Sequence, residues 1–420
     1  MNLRVDQEVV STPSARLRRE FATVRGYSKR LTEPLSAEDH GLQSMADASP
    51  TKWHLAHTTW FFETLVLKPH APNYVAFDPR YHELFNSYYE ALGPRHPRPQ
   101  RGVLSRPSLR EVWAYREYVE AALDDLLAQD THVFEAMREL ITLGLHHEQQ
   151  HQELILSDIK HAFALNPLHP TYLPAISATT KPTAMEWRDH AGGLVEIGHL
   201  GSAFAFDNET PRHRVWLEPY QLGSRPITCG EFQEFINDGG YTRPEWWLSD
   251  GWSCVQAHGW NLPLYWYQTG GGDYSLFTLH GMRKWNADEP VCHLSYYEAA
   301  AYAAWAGARL PTEFEWEAGA PDLCANYFPD RALHPRTDSS VAGYGEVWEW
   351  TQSAYAPYPG FKPLAGVASE YNGKFMVNQL VLRGGSCVTP PGHLRATYRN
   401  FFTPTARWQF SGIRLARDIT

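Results

Sequence analysis

The chain has no run of about 18 consecutive apolar residues, so no membrane-spanning helix is expected. It also lacks basic stretches and any excess of positive charge. With 37 Lys and Arg against 47 Asp and Glu, the net charge is -10 and the pI is near 6.0, which argues against a nucleic-acid partner. Cysteine is scarce: Cys229, Cys254, Cys292, Cys324 and Cys387 are an odd number with no CxxC spacing. That excludes a disulfide framework and reads as reduced, scattered thiols of a cytoplasmic protein. The opening MNLRVDQEVVSTPS has no apolar core of a secretion signal, which points to the same compartment. No fixed-period repeat is present.

A length of 420 residues exceeds what one hydrophobic core usually organises, so two domains are expected. Residues 10–165 read as helices. Arg16–Leu31 is an amphipathic segment ended by Pro34, and Ser36 can cap a second helix with Glu38 and Asp39 in its first turn. Pro50 stands at a helix start, and the helix it opens is expected to stop before Pro69. Ser108 followed by Glu111 is a capping box for a helix reaching about Ala128, and the last helix spans about Phe134–Phe163. Asn166–Ala184 holds Pro167, Pro170, Pro174 and Pro182 and reads as a linker. Beyond it come short β-like runs, Gly-rich loops and clustered Trp, with one clear helix at Tyr296–Ala306.

The segment HHEQQHQELILSDIKH, residues 146–161, places His147 and His151 one helical turn apart. They share a face with Leu140, Gly144, Leu154 and Ile155, a stripe expected to point into a core. Buried imidazoles need partners, since an unpaired buried polar group costs about 1–3 kcal/mol. One transition metal can satisfy both. Upstream, SPTKWHLAHTTWFFE (49–63) puts His57 on a face with Trp53, Trp60 and Phe61. A third imidazole from a second helix would complete a three-ligand site with open coordination positions, the pattern of a catalytic metal centre. Between the two helices runs a long loop, LFNSYYEALGPRHPRPQRG (84–102), rich in Pro and Arg and carrying Tyr88 and Tyr89.

These segments resemble the DinB-like domain of the sulfoxide synthases of ergothioneine biosynthesis, the hercynine oxygenases. The second half is similar to the formylglycine-generating-enzyme-like, or sulfatase-modifying-factor, domain that follows it in that family. The likeness rests on FAFDNETPRH (204–213), EFINDGGY (234–241), RLPTEFEWE (309–317), GEVWEWT (345–351), LRGGS (382–386) and RNFFTPTARWQFSGIRLARD (399–418). The implied fold class is α+β. A DinB-like four-helix bundle (1–165) and a linker (166–184) precede a C-type-lectin-like, formylglycine-generating-enzyme-like α+β domain (185–420), with the active site between the domains.

The resemblance implies that His57, His147 and His151 hold Fe(II), and that the substrates are hercynine (Nα-trimethylhistidine), L-cysteine and O2. The product would be hercynylcysteine sulfoxide. The NSYY loop and YRNFFTPTARWQFSG are most similar to the branch that uses free cysteine. Tyr88 and Tyr89 are then the catalytic phenols, because a positioned phenol can deliver a proton to reduced oxygen. Gln150 and Asn400, Phe401 and Phe402 correspond to hercynine-binding positions; an aromatic face suits a quaternary ammonium that cannot donate hydrogen bonds. Arg98 and Arg101 could bind the cysteine carboxylate as a guanidinium fork. Glu153 is expected to orient a ligand imidazole, and Trp348 and Trp350 to pack the second core. Formylglycine synthesis is not expected, since only Cys387 lies near the RGGS strand. Rival readings are a selenosugar-using selenoneine synthase on the same scaffold and a DinB-like zinc- or nickel-bound thiol S-transferase.

Overall fold

A computed structural model of the chain describes residues 12–128, 133–174, 184–270, 273–320, 333–336 and 343–419. The molecule divides into two compact units, Met1–Ile155 and Leu156–Thr420. The division falls inside a helix rather than at the proline-rich stretch.

The first unit is built on α1 (Pro13–Thr32), α2 (Thr51–Phe62), α3 (Leu109–Ala128) and the greater part of α4 (Val133–Leu165). Thr12 caps α1, its hydroxyl accepting from Ala15 N at 3.2 Å. The capping box of α3 forms as expected: Ser108 Oγ accepts from Glu111 N at 3.3 Å, and the Glu111 carboxylate accepts from Ser108 N at 2.8 Å. Ser36 caps only a single 3-10 turn, Asp39–Gly41, rather than a long helix; Ser36 and Asp39 bond each other's backbone and the chain then extends at Leu42.

Helix α2 is buried on nearly every side, as befits the central rod of a bundle. It does not stop before Pro69. A π turn at Glu63–Leu67 follows, then a closing turn at Lys68–His70. The wider turn disrupts the i→i−4 ladder that Pro69, lacking an N–H, could not complete. The buried Glu63 carboxylate anchors this turn, accepting from the Tyr115 hydroxyl (2.8 Å), the Tyr74 hydroxyl (2.9 Å) and Phe77 N (3.0 Å). Gly144 of α4 lies against α2. A Cβ there would sit 2.6 Å from Phe62 Cε1 and 2.8 Å from Phe61 Cε1, so only glycine permits this approach.

The second unit starts with the last turns of α4. Residues of the expected linker up to 174 pack within it: Tyr172 N and Leu173 N donate to Leu279 O at 2.9 and 3.1 Å. Residues 175–183 of that linker lie outside the described residues. Regular structure is sparse. The strands are β1 (Trp187–His190), β2 (Gly193–Ile197), β3 (His213–Leu217), β4 (Tyr220–Gly223), β5 (Trp266–Gln268), β6 (Tyr274–Thr278) and β7 (Gly281–Lys284). They continue with β8 (Trp348–Ala354), β9 (Leu380–Arg383), β10 (Asn400–Phe402), β11 (Ser411–Gly412) and β12 (Ala416–Asp418). They form small sheets ordered β1-β4-β12, β2-β3, β5-β6-β7 and β10-β9-β8-β11.

Four helices complete this unit's described residues: α5 (Cys229–Asn237), α6 (Ser249–His258), α7 (Tyr296–Trp305) and α8 (Glu313–Gly319). Capping boxes start three of them, at Thr228/Glu231, Ser295/Glu298 and Thr312/Glu315. Trp348 and Trp350 are buried as expected. Loop-rich backbone is tied down by buried ion pairs, among them Arg383–Glu317, Arg399–Glu313, Arg407–Glu298 and Arg414–Glu349. Breaking one such pair leaves an unpaired buried charge and costs about 3–5 kcal/mol.

Candidate metal centre

His57 of α2 and His147 and His151 of α4 converge, with one nitrogen of each lying within 4.8 Å of the others, and all three are buried. Their ring centroids are 4.6–4.9 Å apart. His57 Nε2 and His147 Nε2 face each other at 3.2 Å. Two nitrogens each about 2.0–2.1 Å from one ion are about 2.9–3.4 Å apart at right-angle to tetrahedral geometry, so this pair fits a shared cation.

The surroundings fix which lone pairs face inward. His57 Nδ1–H donates to Phe85 O at 2.6 Å, leaving Nε2 as the ligand atom. The His57 ring is stacked between Trp53 (4.6 Å) and Trp60 (5.6 Å). His151 Nδ1 lies 2.7 Å from His54 Nδ1, so His54 holds that ring with Nε2 free for a metal. Phe61 packs 4.8 Å from the ring of His147.

All three imidazoles are neutral, as metal ligands must be. Burial holds His57 and His151 well below the usual histidine range, and the neighbouring His147 lowers both further. Burial pulls His147 down to about 3, outweighing the opposing charge of Glu148. Glu148, next along α4, is itself buried and grips the rest of the bundle. It accepts from Arg25 Nη1 at 2.9 Å, from Ser28 Oγ at 2.6 Å and from Arg116. Burial raises its pKa, but Arg116 and Arg25 overcome this and bring it to about 2.

The other expected site residues fall in both units. In the first, Tyr89 is fully buried, packed on Trp60 (5.5 Å) and Tyr88 (4.7 Å), while Tyr88 is half-buried. Asn86 folds the loop around them, accepting from Tyr89 N at 3.1 Å and donating to Tyr89 O at 3.0 Å. Arg101 is buried, its guanidinium 3.3 Å from the centre of the Trp53 ring and bonded to Ser49 Oγ (2.9 Å) and Ser87 Oγ (3.2 Å). Arg98 is exposed and donates to Asp47 O. Gln150 is half-buried on α4.

In the second unit, Asn400, Phe401 and Phe402 form the half-buried edge strand β10, paired with β9. Phe401 stacks on Tyr355 at 4.0 Å, and Phe402 meets Trp408 edge-on at 5.7 Å. Glu153 is only half-buried; for His151 the orienting group observed is His54.

Sequence reasoning did not single out His54, Phe85 O or Glu148. His54 carried a usable signal, since it lies three residues before His57 on one helix and so near its face. A backbone acceptor such as Phe85 O leaves no mark in side-chain identity.

Comparison with known proteins extends the picture to the whole chain. The DinB superfamily profile matches residues 20–155, and the sulfatase-modifying factor enzyme 1-like domain matches residues 182–341 and 341–419. The chain is 34% identical to a hercynine oxygenase of Mycolicibacterium smegmatis over 95% of its own length and 98% of that protein. A hercynine oxygenase of Mycobacterium tuberculosis is 35% identical over 88% of this chain and 91% of its own. The formylglycine-generating enzyme of Bos taurus is 33% identical, over 30% of this chain and 36% of its own.

Together these define the class: an oxygenase-type enzyme in which a DinB-like helical domain precedes a sulfatase-modifying-factor-like domain. The chain belongs to the hercynine oxygenase family.

Proposed function

We propose that the enzyme catalyses iron(II)- and O2-dependent C–S bond formation between the imidazole ring of hercynine and L-cysteine in the cytoplasm, giving hercynylcysteine sulfoxide. The observation that carries this reading is the buried cluster of three neutral imidazoles, His57, His147 and His151, in a chain 34% identical to a named hercynine oxygenase over almost its full length. The reaction balances: a C–H and an S–H bond are lost, a C–S and an S=O bond form, and O2 supplies the sulfoxide oxygen and leaves its second atom as water.

His57, His147 and His151 would hold the iron, which when bound would supply a redox-active Lewis acid. The protein's groups do the rest. Trp53 and Trp60 clamp His57 and keep water from its ring. Tyr88 and Tyr89, stacked on one another and reaching Trp60, are the phenols that pass a proton to reduced oxygen. Gln150 contacts the hercynine imidazole. Asn400, Phe401 and Phe402 receive the trimethylammonium, with Phe401 already held flat against Tyr355. Arg101 and Arg98 bind the cysteine carboxylate; Arg101 has the fixed fork and Arg98 the solvent-facing one.

The test is anaerobic reconstitution with Fe(II), then addition of hercynine, cysteine and air with mass spectrometry of the products and measurement of O2 uptake. The expected result is the sulfoxide with one oxygen from O2, and loss of both iron and product in His147→Ala. Iron retained by that variant refutes the ligand set. Preference for γ-glutamylcysteine or a selenosugar refutes the sulfur donor, and turnover without O2 uptake refutes the chemistry.

A further inference from the structure

A small cavity in the second unit is lined by none of the residues assigned above. Lys160, Cys229, Tyr265, Cys292, His293 and His334 are among its walls, and the space open to a water-sized sphere is about 20 Å³. That is room for one water or one monatomic ion.

Lys160 is buried, and among the described residues its ammonium makes one hydrogen bond, to His293 Nε2 at 2.6 Å. Beyond that it faces the rings of Phe410 (4.7 Å) and Tyr265 (5.0 Å), and among the described residues it has no carboxylate partner. An ammonium has three N–H groups and no acceptor, so two remain unused. Among the described residues the buried Tyr265 hydroxyl has no hydrogen-bond partner.

His334 lines the same space. Its Nε2 lies 2.7 Å from Arg283 Nη2 and 3.1 Å from the Glu289 carboxylate, and its Nδ1 is buried with no hydrogen-bond partner among the described residues. The nearby carboxylate, Glu289, is engaged by Arg283 and pressed against the far nitrogen of His334. Burial pushes the Cys292 thiol up to about 12, so it contributes no negative charge. Lys160 and Tyr265 thus bring unused N–H and O–H groups to this space.

The backbone around the cavity is unusual as well. Among the described residues six non-glycine positions have positive φ, and three of them are Tyr265 (71°), His293 (66°) and Leu333 (47°), the last next to His334. Such conformations persist only where the surroundings over-determine them, and they gather at ligand clamps.

We propose that this cavity binds a monatomic anion, a halide, held by Lys160 Nζ and the Tyr265 hydroxyl. The ion supplies the counter-charge that Lys160 lacks and the acceptor that the phenol lacks. It joins the end of α4 to the loop that carries Tyr265. Burial brings Lys160 down to about 8, so it remains largely a cation at neutral pH, as an anion site requires.

The test uses the full-length chain. Crystals soaked in sodium bromide, with data collected at the bromine edge, are expected to give an anomalous peak in hydrogen-bonding reach of Lys160 and Tyr265. In parallel, melting is followed in bromide against gluconate at equal ionic strength. Bromide at about tenfold excess over its Kd should raise the wild-type Tm by about 2 °C beyond gluconate. The rise should shrink in Tyr265→Phe and vanish in Lys160→Met; if the lysine variant does not fold, the tyrosine variant decides. Density without anomalous signal, equal melting in the two salts, or a bromide response undiminished in Tyr265→Phe overturns the assignment.

Discussion

Replacing Gly144 by Ala sets two effects of known size against each other. In a helix interior the exchange gains about 0.8–1.0 kcal/mol from backbone propensity. Here the new methyl would sit 2.6 Å from Phe62 Cε1, 2.8 Å from Phe61 Cε1 and 2.9 Å from Phe62 Cζ. Ordinary carbon contact begins at about 3.5 Å, so the rings must retreat by about 1 Å. Both phenylalanines are fully buried, and such overpacking costs about 1–3 kcal/mol. The loss outweighs the gain by about 1 kcal/mol, or a Tm lower by about 2–4 °C. Because Phe61 packs on His147 and metal sites tolerate only about 0.5 Å of error, Fe(II) affinity should fall about tenfold or more. The control is Gly26→Ala in α1, where the methyl would meet only Arg30 Nη1 at an ordinary 3.5 Å, and which should raise Tm by about 2–4 °C. Calorimetric melts and anaerobic iron titration of both variants decide. If Gly144→Ala stabilises as much as the control and keeps full iron affinity, the close approach of α2 and α4 at this point is wrong.

Three further outcomes follow from the same geometry. His54→Ala removes the partner of His151 Nδ1 and should weaken Fe(II) binding about 10–100-fold, with recovery in added imidazole; unchanged affinity would mean that the 2.7 Å contact does not orient the ligand. Phe401→Ala should raise KM for the trimethylated substrate about 2- to 30-fold, the equivalent of about 0.5–2 kcal/mol, with a smaller effect on an analogue lacking the methyl groups; an equal effect on both would remove the cation–aromatic contact. The iron-free enzyme should lose stability as pH falls. His147 is held at about 3 when folded against 6.5 for an ordinary histidine, so the unfolded chain binds the extra proton between those values. That stability is complete above about pH 6.5 and drains away towards pH 3. Urea midpoints at pH 7.5 and 5 should therefore differ more in wild type than in His147→Gln, and equal differences would contradict the neutral buried imidazole.

The three-histidine cluster was legible because helical spacing is a local property: His147 and His151 stand four apart, and His57 shares its segment with apolar residues of the buried face. The capping box at Ser108 was equally open to reading, since its two partners lie within one turn. The sequence could not reveal that Arg25 is buried. In α1 it looks like one more basic residue on a solvated face, and the arrival of Glu148 from 123 positions away and Glu120 from 95 makes its burial tolerable. For the same reason the partner of His57, a backbone carbonyl at position 85, could not be read. Proline content suggested a boundary near residues 166–184, whereas compactness divides the chain at Ile155, because an uninterrupted helical pattern gives no sign of where its neighbours change.

The placement of that division within α4 bears on how the enzyme can be dissected. The helix runs 33 residues, about 50 Å, and a fragment trimmed to the first compact unit would end four residues after His151. The last four carbonyls of any helix lack acceptor bonds along the axis, so that turn frays. One imidazole of the three would then hang from a loosened end. An expression fragment extended to Leu165 keeps the turn intact, and iron retention by the longer piece but not by the shorter would mark how far a ligand's support reaches past the residue that bears it.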